Sequence, residues 1–265
     1  MTELHESLVW AVGCFLIGAI VGSFLNVVIA RVPVDESIVH PPSHCPECDH
    51  PIRWYDNIPI VGYFVLLGRC RDCGGRISIR YPFIEFLFAG LSLALYWKYD
   101  LSPAFVVFFV FIAAMIAVFW IDLDHMIIPD VISLNGTVVG LAAATGGLLP
   151  GVTWPDSYIG LILGGLILYI PAVVYEKIRG IEGLGGGDIK LLAMIGTFVG
   201  PYGVIFVLFF ASFIGSLTAF AGMALRRTES STPIPFGPFL SAAAVLYVFV
   251  GQEAMVRFLD FSRYL

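Results

Sequence analysis

Residues 103–121, "PAFVVFFVFIAAMIAVFWI", decide the fold class of this chain. The stretch carries no charge, and as a helix it is long enough to cross a hydrocarbon core of roughly 30 Å. The rest of the chain has the same character, since 58% of its 265 residues are hydrophobic, 13% are charged and the mean hydropathy is +0.90. One soluble core could not bury so much apolar surface. The sequence therefore predicts an all-α, polytopic membrane protein.

Apolar stretches of this kind recur along the chain and predict about eight transmembrane helices. They cover residues 7–30, 82–99, 103–121, 131–149, 158–177, 188–200, 202–225 and 236–256. The sixth stretch is short, and Gly200 with Pro201 predicts a tight turn after it. The first stretch is expected to be a retained helix, because neither a basic residue before it nor a cleavage site after it indicates a signal peptide.

Basic residues divide unevenly between the two sides that these helices define. If the N-terminus faces outward, eleven of the fourteen Lys and Arg residues lie on the inner side. These are Arg31, Arg53, Arg69, Arg71, Arg76, Arg80, Lys177, Arg179, Lys190, Arg226 and Arg227; the outer side holds Lys98, Arg257 and Arg263. By the positive-inside rule, the inner side is cytoplasmic and both termini lie outside.

The longest hydrophilic connection carries two cysteine pairs, "CPEC" at 45–48 and "CRDC" at 70–73. Two thiolates in each tight turn can reach one ion, so Cys45, Cys48, Cys70 and Cys73 predict a closed, structural four-sulfur zinc site. A pair of disulfides is the alternative, and a reducing cytoplasm disfavours it. The predicted organisation is a first transmembrane helix at 1–30, a cytoplasmic zinc-binding domain at 31–81, and a transmembrane catalytic domain of about seven helices at 82–265.

Between the cysteine pairs runs "WYDNIPIVGYFVLLGRC", residues 54–70. Pro59 and Gly62 interrupt it, and it is too short to predict a transmembrane helix. Two interpretations remain open: an interfacial segment lying under the membrane, or the small core of the zinc-binding domain.

Two carboxylate clusters decide the predicted function. "IDLDHMIIPD" at 121–130 ends the third predicted helix, and "GLGGGDIKL" at 183–191 begins the sixth. The charge count places both clusters at the cytoplasmic side. Two carboxylates a few ångströms apart can share a proton, one acting as base toward water and the other as acid toward a carbonyl, as in aspartic proteases.

Glycines beside Asp188 would let a substrate backbone approach closely, so Gly185, Gly187 and Lys190 are candidate substrate-binding residues. Other interpretations stay open. Asp124 and Asp130 flank a helix end, where Asp is an ordinary cap. Asp188 could equally cap its helix, with Lys190 as a membrane anchor.

The ordered combination of motifs resembles the bacterial type IV prepilin peptidases, a family of GxGD aspartic proteases. It comprises "GSFLNVVIARVP" at 22–33, the cysteine pairs, "RYPFIE" at 80–85, "IDLDHMIIPD" and "GGGDIKL" at 185–191. The resemblance implies that the catalytic pair is Asp122 and Asp188, a choice among the aspartates that spacing does not make. It also implies a bacterial inner-membrane location.

The resemblance further implies the substrates and the second reaction. Type IV prepilins or type II secretion pseudopilins would lose a basic leader at the cytoplasmic face, and S-adenosylmethionine would then methylate the new N-terminus. The expected partners are these substrates and the lipid bilayer. Nucleic acid is not an expected partner. Another GxGD intramembrane protease is an alternative, although that class does not predict the cysteine pairs. A proton-coupled transporter is a second alternative, but it would place its carboxylates near mid-bilayer.

Overall fold

The computed structural model describes residues 2–180, 185–225 and 234–254, and within these ranges every regular element is helical. The helices are α1 (Thr2–Arg31), α2 (Val61–Val65), α3 (Arg80–Tyr99), α4 (Pro103–His125), α5 (Asp130–Thr145), α6 (Trp154–Arg179), α7 (Gly186–Ala224) and α8 (Gly237–Leu246). A single 3-10 turn, Val32–Val34, follows α1, and a π-helical turn, Tyr247–Gly251, follows α8. The all-α prediction is confirmed.

Among the described residues, four segments are long and apolar enough to cross a membrane: Glu6–Val34, Pro103–His125, Trp154–Arg179 and Gly186–Ala224. The prediction of a polytopic membrane protein is therefore confirmed. Helix α5 is apolar but shorter, ending at Thr145 where the sequence predicted a span to 149. Four basic residues of the charge count, Arg226, Arg227, Arg257 and Arg263, lie outside the described residues, as does the start of the "GLGGGDIKL" motif.

The chain forms two compact units, Met1–Phe109 and Val110–Leu265. In the first unit, α1 and α3 pack antiparallel along their lengths. The contacting positions run in opposite directions: Ser7 with Tyr96, Cys14 with Ser92, Gly18 with Ala89, Gly22 with Glu85, and Asn26 with Tyr81. A Cβ added at Gly22 would lie 2.7 Å from the Glu85 Cα, so glycine permits the close approach of the two backbones.

Glycines also bring α6 and α7 together in the second unit. A Cβ at Gly160 would overlap the carbonyl of Gly196, and one at Gly164 would overlap the carbonyl of Leu192. The buried Ser157 hydroxyl donates to the Thr197 carbonyl at 2.7 Å. This small-residue seam fixes α7, and with it the carboxylate that α7 carries near its start.

Helix α7 is broken near its middle. Gly200 has φ 69° and ψ −178°, which is not helical, and Pro201 follows it. A straight helix of these 39 residues would be about 58 Å long, roughly twice a bilayer core. A Cβ at Gly196 would lie 3.0 Å from Val204 Cγ2, whereas positions eight residues apart in a continuous helix are about 12 Å apart. The chain therefore reverses direction at Gly200, and the predicted tight turn between two helices is confirmed.

Candidate active site and metal centre

Asp122 lies in the last turn of α4 with only 5% of its surface exposed. It continues the buried face of that helix, because Phe111, Met115 and Val118 precede it at helical spacing and are also buried. Asp124, two positions on, is exposed, as are His125 and Asp130. Helical phase therefore separates the aspartates that the sequence left together.

Asp188 lies in the first turn of α7, half-buried. Its Oδ1 atom is buried and, within the described part of the chain, has no hydrogen-bond partner. Leaving a buried acceptor unpaired is costly, and a catalytic role is one reason for which such atoms occur in folded proteins. Asp188 and Asp122 meet at Ile128: a Cβ at Gly187, beside Asp188, would lie 3.1 Å from the Ile128 Cβ, and one at Gly237, which approaches Asp122, would lie 3.1 Å from the Ile128 Cδ1. The structure thus brings together these two predicted residues.

The glycines before Asp188 have different surroundings. Among the described residues, a Cβ at Gly186 would meet nothing within 4 Å, and one at Gly185 would meet only the Asp188 carboxylate, at 3.6 Å. A Cβ at Gly187 would lie 3.1 Å from the Ile128 Cβ. The open space beside Asp188 is therefore at Gly185 and Gly186, whereas Gly187 packs against the segment that joins α4 to α5.

Lys190 pairs with an acidic residue of another helix. Its Nζ lies 2.7 Å and 2.8 Å from the two carboxylate oxygens of Asp130, so the pair links the first turns of α5 and α7. Both side chains are exposed, and such pairs contribute about 0–1 kcal/mol. The sequence proposed Lys190 as a substrate contact and Asp130 as a cap, and it did not predict this pairing.

The site contains a further residue, Gly237, that the sequence did not predict. This first residue of α8 donates its backbone N–H to Asp122 Oδ2 at 2.9 Å. A Cβ at Gly237 would lie 2.6 Å from that same oxygen. The available signal was "FGP" at 236–238, a glycine and proline at the start of a helix.

The four predicted cysteine ligands also converge. Their sulfur atoms all lie within 4.8 Å of one another, and the Cys45 and Cys73 sulfurs are 3.8 Å apart. Tetrahedral zinc with bonds of about 2.3 Å places its sulfur ligands about 3.8 Å apart, so the cluster fits such an ion. The thiols are free, not disulfide-bonded.

The two cysteine pairs lie in two separate turns that have the same backbone geometry. The amide of Cys45 donates to the His50 carbonyl at 3.0 Å, and the amide of Cys70 donates to the Gly75 carbonyl at 2.7 Å. The residue after the second cysteine is left-handed in both turns, with φ 56° at Asp49 and 73° at Gly74. This repetition gives the two turns the same shape around one centre.

An ion pair braces the second turn. Arg71 donates to both carboxylate oxygens of Asp56, at 2.8 Å and 2.6 Å. The hydrogen bonds from Arg71 hold the pKa of Asp56 below its ordinary value. The pair therefore ties the region between the cysteine pairs to the turn that carries Cys70 and Cys73.

The structure is that of a helical membrane protein in which Asp122 is buried, Asp188 is half-buried, and four cysteines form a cluster that could hold a metal ion. Residues 16–99 match the family model for the bacterial peptidase A24 N-terminal domain, and residues 109–220 match that for the type IV leader peptidase family. No solved structure gives a significant match.

Three curated relatives are named prepilin leader peptidase/N-methyltransferase. The protein from Myxococcus xanthus is 40% identical over 86% of this chain and 69% of its own length. Those from Pseudomonas aeruginosa and Aeromonas hydrophila are 33% and 35% identical over 93% and 96% of this chain, and over 92% and 96% of their own lengths. The chain belongs to the type IV leader peptidase family. The resemblance seen in the sequence is confirmed, and the family is one of peptidases, not of transporters.

Proposed function

We propose that this protein is a membrane aspartic endopeptidase that removes the basic leader of type IV prepilins or of type II secretion pseudopilins. It would then methylate the new N-terminal residue with S-adenosylmethionine. The observation that carries the peptidase is the pair formed by Asp122 and Asp188. Family membership and the names of the relatives support both activities.

The two carboxylates have distinct surroundings that suit a shared task. The Gly237 N–H fixes one oxygen of Asp122, while Asp188 Oδ1 has no protein partner and faces no competing donor among the described residues. In the proposed step, one carboxylate takes a proton from a water molecule while the oxygen of that water bonds to the scissile carbonyl carbon. The other donates a proton to the carbonyl oxygen. Collapse of this intermediate breaks the C–N bond, and the amine leaves with a proton from the pair.

The open backbone at Gly185 and Gly186 supports a substrate-binding role for the loop before Asp188. An extended substrate segment can lie against backbone that bears no side chains. Gly187 is held by Ile128, so it would shape the loop rather than contact substrate. Through its ion pair with Asp130, Lys190 would hold the start of α7, and the loop before it, beside the start of α5.

The proposed topology has eight transmembrane helices, with both termini periplasmic and both sites at the cytoplasmic face of the bacterial inner membrane. Helix α3 runs antiparallel to α1 along most of its length, so it spans the same depth as a helix that can cross the membrane. The reversal at Gly200 supports counting α7 as two of the proposed spans. The proposed domains are 1–30, 31–81 and 82–265.

The topology is tested by inserting protease sites into the protein and adding protease to intact cells and to inverted vesicles. A site placed after Gly151 should be cut only from the periplasmic side, and one at Thr228, outside the described residues, only from the cytoplasmic side. Cleavage at Thr228 from the periplasm would overturn the orientation.

The cysteine cluster is proposed to hold one structural zinc ion through Cys45, Cys48, Cys70 and Cys73. Four thiolates close the coordination sphere, so no position remains for water or substrate. Zinc would supply folding free energy to the surrounding turns and no chemistry in the peptidase step.

The two activities are tested together with purified protein and a prepilin, with and without S-adenosylmethionine. The mass of the product should fall by that of the leader, and in the presence of the methyl donor it should rise by one methyl group. An unchanged prepilin mass in both reactions would refute the peptidase, and a cleaved but unmethylated product would refute the methyltransferase.

A further inference from the structure

The short helix α2 exposes an apolar surface in the first unit. Val61, Phe64, Val65 and Leu67 are all exposed, Phe64 by 65% and Leu67 by 86%. The residues of this segment that turn inward are Gly62, which is buried, and Tyr63, whose ring contacts Gly68. The segment is therefore not the core of the module that holds the cysteines.

A hydrogen bond fixes the level of α2 along the membrane helices. The backbone N–H of Ile60, the residue before α2, donates to the carboxylate of Glu85 at 2.6 Å. Glu85 is buried in α3, with its backbone against Gly22 of α1. Gly22 lies nine positions before Arg31, the last residue of α1, so the Glu85 backbone is about 13 Å inside the polar end of that helix.

A glutamate side chain is shorter than that distance, so Ile60 lies beside α1, short of its end at Arg31, and at the level of the first turns of α3, which begins at Arg80. Helix α3 exposes Tyr81, Phe83 and Phe86 in its first turns, where the same helix pair would meet lipid. The exposed side chains of α2 are therefore at the level of an apolar surface that the bilayer covers.

Arginines border the apolar segment on one side. Arg69 lies two residues after Leu67 and pairs with Arg76 in an isolated β-bridge, and both side chains are exposed. Apolar side chains with a basic rim are the pattern of interfacial segments, in which the apolar face enters the acyl-chain boundary and the basic groups meet anionic headgroups.

We propose that Val61, Phe64, Val65 and Leu67 insert into the headgroup–acyl boundary of the bilayer and hold the cysteine module against the membrane. The occupant of this surface is lipid. Glu85 acts as the anchor, because its hydrogen bond sets the depth of the segment relative to α1 and α3. The inference is independent of the peptidase activity and of which face of the membrane the segment meets.

The test uses full-length protein carrying the photoreactive residue p-benzoylphenylalanine at one position, reconstituted in vesicles of phosphatidylethanolamine and phosphatidylglycerol. Phe64 is the test position. Phe86, exposed on α3, is the positive control, and His50, exposed on the first cysteine turn, is the negative control. Mass spectrometry measures the fraction of protein joined to lipid after illumination.

Phe64 should give lipid adducts at a yield similar to Phe86 and on the order of tenfold above His50. A Phe64 yield equal to that of His50 would overturn the proposal. A cross-linked dimer from Phe64 in place of lipid adducts would also overturn it, because a second copy of the chain would then cover the surface. Retained metal content in each variant shows that the module is folded.

Discussion

The cysteine cluster and the carboxylate pair are built in opposite ways. Each half of the cluster is a turn of a few residues whose own backbone sets the positions of its sulfurs, and the two halves repeat one geometry. The carboxylates stand at the ends of two helices, sixty-six residues apart in sequence, and depend on helix packing and on a contact from a third helix. A local motif tolerates change at a distance, whereas an assembled site does not.

The largest loss of activity is expected from a substitution at Gly237, a residue that lies in none of the motifs found in the sequence. Gly237→Ala places a Cβ 2.6 Å from Asp122 Oδ2, so the carboxylate must move. Because small misplacements in an active site cost about 10²-fold, we expect prepilin cleavage to fall by about that factor, as measured by the initial rate. Gly165→Ala is the control, since its Cβ would meet the Ala193 Cβ at an ordinary 3.7 Å.

The two variants should keep the same metal content and thermal midpoint. Near wild-type cleavage by Gly237→Ala would show that the site does not depend on the start of α8. An equal loss with Gly165→Ala would show that small changes in helix packing, and not this contact, control the rate.

The cysteine cluster should respond to loss of its own ligands. Wild-type protein should contain about one zinc ion per chain, and Cys45→Ser combined with Cys70→Ser should abolish binding and expose residues 31–81 to protease. Cys14→Ala removes a buried thiol outside the cluster and should leave the zinc content unchanged. Metal analysis and limited proteolysis are the measurements, and equal zinc in the double variant would contradict the proposed site.

The smallest effect is expected at the Lys190–Asp130 ion pair, because both side chains are exposed. Lys190→Met should lower the free energy of unfolding by about 0–1 kcal/mol and leave cleavage within roughly tenfold of wild type. The reversed pair, Lys190→Asp with Asp130→Lys, should recover most of the loss.

A double-mutant cycle on the cleavage rate separates pairing from substrate contact. If Lys190 touches substrate instead, KM should rise in Lys190→Met, and the reversed pair should restore nothing. That outcome would return Lys190 to the binding role that its sequence position first indicated.

The parts of the molecule that the sequence predicts are those with short-range causes. The spacing of Cys45, Cys48, Cys70 and Cys73 is sufficient for their convergence, and the apolar stretches are sufficient for an all-α membrane fold. Spacing did not distinguish Asp122 from Asp124, although the apolar positions before them in α4 hold the helical phase that buries only Asp122.

Contacts between distant elements were not predictable in the same way. The N–H of Gly237 reaches Asp122 across 115 positions of sequence, and no local pattern indicates its target. The pairing of Lys190 with Asp130 likewise depends on where α5 and α7 begin. The tight turn at Gly200 and Pro201, by contrast, has a local cause, and the sequence predicted it.

The central claim is that Asp122 and Asp188 act as one catalytic pair, and cleavage by matched asparagine variants tests it most directly. Asp122→Asn and Asp188→Asn keep side-chain size and remove the ionisable group, so each should abolish leader removal, and the double variant should be no worse than either one. Methylation of an already cleaved pilin should persist in both, which shows that the proteins are folded. Asp124→Asn should retain much of the activity. Near wild-type leader removal by Asp188→Asn, or selective loss with Asp124→Asn in place of Asp122→Asn, would contradict the assignment.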